Sequence, residues 1–311
     1  MKILFSSDEW NTYSPYLKKY MIKKKLNPNN LIKNVDDFHN DIKYIIYSPS
    51  SNLKNFNSFP NLSAILNLWA GVEKVVNNKT LNVPLIRLID KNMTQSMVEW
   101  CITHVLRYHI ESDNYVINKY NKWKINFLPN LSKNTNIGIL GYGILGKAVG
   151  IQLSKLGFNV HGWSKNKKKP IKKTKLFYGD QGLKEMLPKV KILLILLPLT
   201  NETENLINYS NMELLQKNSY IINAGRGHII NDDDLLNMLK IGHIKHATLD
   251  VFRKEPLPKN HTFWRNPKIT VSPHIAAVTR PKSSSKIIIK NILKLEKNMI
   301  PFGLVNTKKE Y

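Results

Sequence analysis

The sequence predicts an α/β protein built on two parallel sheets covered by helices. Three observations carry that expectation. β-rich runs alternate with helical patterns in both halves of the chain, a glycine-rich turn follows an apolar strand at Gly141, and the run "ILLILL" is apolar without alternation, as a strand buried on both faces requires. A chain of 311 residues is long enough for two ordinary domains.

In the first hundred residues the candidate strands are "KILFSS", "IKYIIYS", "SAILNLW" and "VPLIRLI", with a helix over "SPYLKKYMIKK" between the first two. From Thr94 to about Lys122, Met97, Cys101, Val105, Leu106 and Tyr108 recur at helical spacing without an intervening glycine or proline, which predicts one long helix. A second alternating series follows, with strands at "NIGILG", "FNVHGW", "KILLILLP", "SYIINAG", "HATLDVF" and "KITVSP". Helices are expected at 144–156, 181–189 and 231–241, and a last one at 282–299. No internal repeat or low-complexity linker stands out.

The formal net charge is +25, a value that can mark a nucleic-acid or membrane-surface binder. Here the lysines are spread along the whole chain among many Asn and Ile, and arginine, the better residue for bidentate phosphate or base recognition, is scarce. The bias is read as composition acting on exposed positions, so neither a nucleic-acid nor a membrane partner is expected. No apolar run approaches the ~20 residues that cross a bilayer, and "MKILFSS" reads as a first strand rather than a signal peptide. A lone cysteine, Cys101, excludes an internal disulfide framework, and a cytoplasmic setting is expected. No His/Cys/Asp cluster has metal-ligand spacing, so no metal is expected.

"GILGYGILGKAVG" places Gly141, Gly143 and Gly146 after an apolar strand and at the start of a helix. The first glycine makes the tight turn, the second lets backbone approach a pyrophosphate, and the third permits close helix–strand packing. The helix N-terminus adds unpaired N–H groups and a positive dipole end. At the end of the next strand an NAD-binding chain carries Asp or Glu to bond the ribose 2′-hydroxyl. This chain has Ser164, with Lys165 and Lys167 beside it. A carboxylate repels a 2′-phosphate, whereas a hydroxyl and ammonium groups attract it, so NADPH is expected over NADH; the alternative is that these lysines belong to the general excess.

Three later segments, "NAGRGHIIN", "TLDVFRKEPLP" and "VSPHIAA", each follow or end a strand. Ligands of open α/β sheets bind beyond the carboxyl ends of the strands, which allows Arg226, Glu255 and His274 to converge on one cleft. With "LNLWAGV", "GYGILG", "AGRG", "LDVFRKEPLP" and "PHIAA" in this order, nearly the whole chain resembles the D-2-hydroxyacid dehydrogenase family. "LIDKNMTQSMVEWCITHVLRYH", "FWRNPKITVSPHIAAVTRP" and "GLVN" look more narrowly like its glyoxylate/hydroxypyruvate reductase A branch, whose members prefer NADPH.

The resemblance implies a flavodoxin-like substrate domain, residues 1–99 plus 281–311, and a Rossmann dinucleotide-binding domain with a doubly wound sheet, residues 100–280. The implied activity is reduction of a small 2-oxoacid, glyoxylate or hydroxypyruvate, by hydride from NADPH. His274 would be the general acid, Glu255 would hold the far imidazole nitrogen, and Arg226 would bridge substrate carboxylate and carbonyl oxygen. Trp69, Ala70 and Gly71 would meet the substrate, with Arg280 as a further anion contact; as plain sequence, Trp69 could equally be a buried core residue. Ile144 and Leu145 in the glycine turn, and Thr94, Leu197, Pro198, Thr200, Asn223, Ala224 and Asp250, would line the cofactor cleft, with Asp250 accepting from the nicotinamide carboxamide. A homodimer through the cofactor domain is implied too, with an arm around 115–131 contributing. Two other readings stay open: a dehydrogenase for another small D-2-hydroxyacid, of the D-lactate or phosphoglycerate type, and a dinucleotide-sensing scaffold like the C-terminal-binding corepressors.

Overall fold

The computed structural model describes residues 2–33, 40–116, 128, 130–171 and 173–307. Its elements begin with β1 (Lys2–Ser6), α1 (Trp10–Lys23), β2 (Leu31–Ile32), β3 (Ile42–Tyr47), β4 (Ala64–Asn67), α2 (Glu73–Val76) and β5 (Leu85–Ile86). There follow α3 (Lys91–His109), α4 (Asp113–Val116), β6 (Asn136–Leu140), α5 (Ile144–Lys155), β7 (Asn159–Ser164), β8 (Thr174–Tyr178), α6 (Gly179–Met186) and β9 (Ile192–Ile195). The chain closes with α7 (Tyr209–Glu213), β10 (Ser219–Asn223), α8 (Asp232–Lys240), β11 (Ile244–Leu249), β12 (Ile269–Val271) and α9 (Pro281–Glu296). It divides into two compact units, residues 1–93 with 279–311, and residues 94–278.

In the first unit five parallel strands lie in the order β2-β1-β3-β4-β5, the flavodoxin-like arrangement. Strand alternation divides its core. Ile3, Phe5, Tyr44 and Ile46 face one way and pack with Tyr13, Leu17 and Met21 of α1 and Ile288, Ile289 and Ile292 of α9. Leu4, Ile45 and Tyr47 face the other way, toward Phe56, Val72, Val75 and Val305. Helix α1 starts upstream of the expected Ser14, because Trp10 sets its ring edge-on to Phe5 at 5.6 Å and so joins the core. The expected strand "VPLIRLI" narrows to two residues. Its outer edge is taken by the C-terminal segment, where Val305 N–H donates to the Leu85 carbonyl and Arg87 N–H to that of Gly303. An edge covered in this way is closed to strand addition.

The second unit carries seven parallel strands in the order β12-β11-β10-β9-β6-β7-β8. Strand order reverses between β6 and β9, and both faces of this centre are buried. Ile192 and Leu194 pack toward α3 and α5, and Leu193 and Ile195 toward α6 and α8. β8 and α7 were not expected from the sequence. The expected helix over 94–122 is also corrected: α3 ends at His109. Glu111 turns into the left-handed region, φ 49°, and its carboxylate accepts from Tyr220 Oη at 2.9 Å and pairs with Lys245 Nζ at 2.5 Å. Asp113 folds back on Arg107 through two contacts to Nε at 2.8 and 2.9 Å. Most of the segment 115–131, the expected dimer arm, lies outside the described residues. Among the described residues no helix is long and apolar enough to cross a membrane.

Candidate active site

Gly141 directly follows β6 at φ 92°, and a side chain there would sit 2.6 Å from the Leu196 carbonyl oxygen, just past β9. The turn thus occupies the point where strand order reverses, the place where open α/β sheets bind ligands. Gly146 lies so close to the turn that a methyl group would meet the Gly141 oxygen at 2.3 Å, whereas a methyl on Gly143 would meet nothing within 4 Å. Two glycines are therefore required by packing and the middle one faces open space. Gly143 is also the N-cap of α5 and, lacking a side chain, makes no capping bond to the first N–H groups of the helix. This cradle fits a dinucleotide pyrophosphate.

At the end of β7, Ser164 Oγ donates to the Asn166 carbonyl at 2.8 Å, and Lys167 lies 5.8 Å from the Tyr178 ring centroid. Lys165 is paired with Glu202, an acid that no sequence motif marks. Opposite, the segment after β9 is closed by Thr203, whose hydroxyl accepts from Thr200 N–H and donates to the Pro198 carbonyl, each at 2.8 Å. Leu197 is buried in the core with Ile207 and Ile229, so of the expected apolar wall only Pro198 keeps partial exposure. Thr94 lies in the first turn of α3, partly exposed.

Asn223, 1% exposed, staples the turn after β10: its amide donates to the Arg226 carbonyl and accepts from Gly225 N–H, both at 3.0 Å. Ala224, also buried, bonds through its N–H to the Ile195 carbonyl. Gly227 is tight against the backbone of Phe252 and Arg253, where a Cβ would approach within 2.1 Å. That contact sets the Arg226 turn against the loop bearing Glu255. Arg226 Nη1 donates to the Gly225 carbonyl at 2.6 Å.

The loops after β11 and β12 complete the set. His274 Nδ1 lies 2.8 Å from Glu255 Oε2, while Glu255 Oε1 accepts from Phe252 N–H at 2.9 Å. With the carboxylate accepting, Nδ1 carries the proton, and Nε2 has no hydrogen-bond partner among the described residues. Burial alone would raise the Glu255 carboxyl. The hydrogen bonds from His274 and Phe252, with the charges of His274 and Arg226, outweigh it and hold the group below its ordinary value. His274 is itself left-handed, φ 55°, a conformation that costs a residue with a side chain on the order of 1–2 kcal/mol.

Asp250, just past β11 and 1% exposed, turns to this same loop. Its Oδ1 accepts from Ser272 Oγ at 2.6 Å and Ile275 N–H at 2.9 Å, and Oδ2 from Ala276 N–H at 2.9 Å. Within the second unit the structure thus gathers Arg226, Glu255 and His274, and adds Asp250, Ser272 and Asn223 as the groups that hold their loops. Among the described residues no group of three or more His, Cys, Asp or Glu is placed to hold a metal ion.

In the first unit Trp69 is 39% exposed rather than a core residue. The loop Trp69–Gly71 is organised by buried Asn67, whose amide donates to the carbonyls of Trp69 at 2.9 Å and Gly71 at 2.8 Å. Ala70 and Gly71 are partly exposed, and Arg280 is exposed at the N-cap of α9. Asn67 was missed by the sequence reasoning; its one signal is a polar residue inside an apolar strand.

Comparison with known proteins shows the family. The family model for the NAD binding domain of D-isomer specific 2-hydroxyacid dehydrogenases matches residues 100–276. The chain is 40% identical over 253 residues to glyoxylate/hydroxypyruvate reductase A of Serratia proteamaculans, covering 79% of this chain and 80% of that one. Among solved structures it is similar to a D-isomer specific 2-hydroxyacid dehydrogenase from Xanthobacter autotrophicus Py2 in complex with NADPH and MES. The TM-score is 0.91 at 30% identity, over 100% of this chain and 99% of that one. An NADPH-dependent glyoxylate/hydroxypyruvate reductase from Sinorhizobium meliloti, in complex with NADP and sulfate, gives a TM-score of 0.88 at 26% identity, over 100% and 99%. A doubly wound cofactor unit, a glycine cradle at its switch point and an Arg–Glu–His set beside it make one conclusion: the chain belongs to the D-isomer specific 2-hydroxyacid dehydrogenase family.

Proposed function

We propose that this protein is an NADPH-dependent reductase that converts glyoxylate to glycolate and hydroxypyruvate to D-glycerate. The observation that carries the reading is the His274–Glu255 pair, with Arg226 acting on the same carboxylate. Relatives named glyoxylate/hydroxypyruvate reductase A and neighbours holding NADPH or NADP support substrate and cofactor.

Bound NADPH supplies the hydride. As the carbonyl carbon of the oxoacid accepts it, negative charge grows on the carbonyl oxygen, and that oxygen needs a cation and a proton. Arg226 supplies the cation, its planar fork spanning the substrate carboxylate and the carbonyl oxygen. His274 Nε2 supplies the proton, because Nδ1 is committed to Glu255 and the ring is thereby held in one orientation. Glu255 stays ionised and positions the donor. Trp69, Ala70, Gly71 and Arg280 keep their expected role as substrate contacts, and Ser164, Lys165 and Lys167 theirs at the ribose 2′-phosphate, which favours NADPH over NADH. A cytosolic homodimer paired through the cofactor domain belongs to the same reading.

Initial rates of NADPH and NADH oxidation with glyoxylate, hydroxypyruvate, pyruvate and a phosphorylated oxoacid test it. The first two should react fastest, and with NADPH. A clear preference for NADH, or for the phosphorylated acid, overturns the assignment. His274→Asn should abolish reduction and leave NADPH binding intact; unchanged turnover removes His274 from the acid role.

A further inference from the structure

Asp250, expected from family likeness to face the nicotinamide, makes its protein hydrogen bonds to the loop after β12. A carboxylate offers about four acceptor sites. Three are taken by the segment 272–276, on both sides of His274: Ser272 Oγ before it, and Ile275 and Ala276 N–H after it. The pattern has a simple origin. Asp250 and Ser272 each follow one of two adjacent parallel strands, since Leu249 of β11 pairs with Val271 of β12. The buried acid therefore lies beside the point where the neighbouring chain leaves the sheet. Ser272 is fixed a second time through its N–H to the Leu249 carbonyl at 2.9 Å, and its own carbonyl accepts from His274 N–H at 3.1 Å.

Between these anchors His274 is left-handed, a conformation uncommon and somewhat costly for a residue with a side chain. From the geometry we infer that Asp250 is the positioning residue of the proton donor: its carboxylate clamps the loop on either side of His274 and keeps the imidazole aimed at Glu255. This deepens the reductase reading and rests on it for the role of His274. Without the clamp the loop is free to relax toward ordinary backbone, which swings the ring off Glu255 and frees its tilt. Glu255 orients the ring through one nitrogen, and Asp250 determines where the ring's backbone stands.

Asp250→Asn tests the clamp, because an amide keeps the size but turns one acceptor into a donor that must face Ala276 N–H or the Ser272–Ile275 pair. The expected result is a fall in kcat of about 10- to 100-fold, as for a misplaced reacting group. NADPH dissociation constants, from cofactor fluorescence, should stay within about twofold of wild type. Hydrogen exchange at the amides of 274–277 should speed up. Ser272→Ala, which removes one bond and keeps the buried charge, should give a smaller fall of about 3- to 10-fold and the same exchange signature. Unchanged kcat and exchange in both variants overturn the clamp. So does a loss of NADPH affinity matching the loss of kcat, since that is the result for a carboxamide acceptor. If the wild-type enzyme oxidises NADPH with neither oxoacid, the reductase reading fails alone, and the exchange data still decide whether Asp250 holds the loop.

Discussion

Lys165 and Glu202 show how the environment of one residue changes its meaning. Lysine beside Ser164 reads as a ligand for a 2′-phosphate, yet its ammonium is already held by an acid from the segment after β9. Both side chains are more than half exposed, so the pair is worth little, and a dianionic phosphate can displace the carboxylate. Glu202→Gln should therefore lower KM for NADPH, by about two- to fivefold for an exposed pair, and Lys165→Ala should raise it with kcat unchanged. Steady-state kinetics in NADPH decide; equal KM values in all three proteins place the phosphate elsewhere. Glu255 offers a second test. Its carboxyl lies below its ordinary value of 4.5, so its contribution to stability is fully present above that pH and is lost as acid takes the pH down through the folded value. Glu255→Gln should remove that part of the acid dependence in thermal melts and lower kcat at least tenfold at neutral pH. The residues proposed to act on the substrate were legible in the sequence because their motifs stand in a recognisable order. Asn67, Glu202 and the loop bonds of Asp250 were not, because each depends on which way a side chain points across a distance the sequence does not encode.

Among the elements, the glycine turn separates packing from binding. Gly146→Ala drives a methyl against the Gly141 oxygen, so it should destabilise by about 1–3 kcal/mol, read as a lower midpoint in urea. Gly143→Ala meets open space and should leave the fold within about 1 kcal/mol, yet weaken NADPH binding at least tenfold. A Gly143→Ala protein that binds NADPH normally would show that the pyrophosphate does not rest on that backbone. The central strands were readable because their apolar runs are unbroken, as β9 shows with Ile192–Ile195 buried throughout. β8 was not, since "TKLFY" is short and its burial is patchy at a sheet edge. The end of α3 was missed for another reason. No glycine or proline marks it, and what stops the helix is Glu111 reaching Tyr220 and Lys245 far along the chain.

At the scale of the molecule, two half-buried histidines, His104 and His246, set an acid limit. Burial lowers His104 and His246 from 6.5 to about 4, the charge of Arg107 adds to this, and Asp113 partly opposes it. The unfolded chain then binds protons at these two sites between about 6.5 and 4 that the folded chain refuses, so the histidines lower stability as pH drops through that window and add no further loss below it. Melting temperatures at pH 7.5, 6 and 5 should show the decline, and replacing both histidines with Asn should flatten it. An equally steep decline in the double variant assigns it to other groups.

The first unit is assembled from both ends of the chain, and this has a consequence for its biogenesis. Ile288, Ile289 and Ile292 of α9 complete the core under β1 and β3, each contributing about 1.5–3 kcal/mol by burial, together comparable with a whole domain's stability. On a ribosome, the N-terminal sheet emerges first and then waits while the 185 residues from 94 to 278 are made, roughly 10–40 s at elongation rates of ~5–20 residues per second. Throughout that interval one face of the sheet is covered by α1 alone and lacks the apolar side chains of α9. A nascent chain stalled before residue 279 should therefore expose a protease-sensitive, chaperone-binding amino-terminal half, while the segment 94–278 is already resistant.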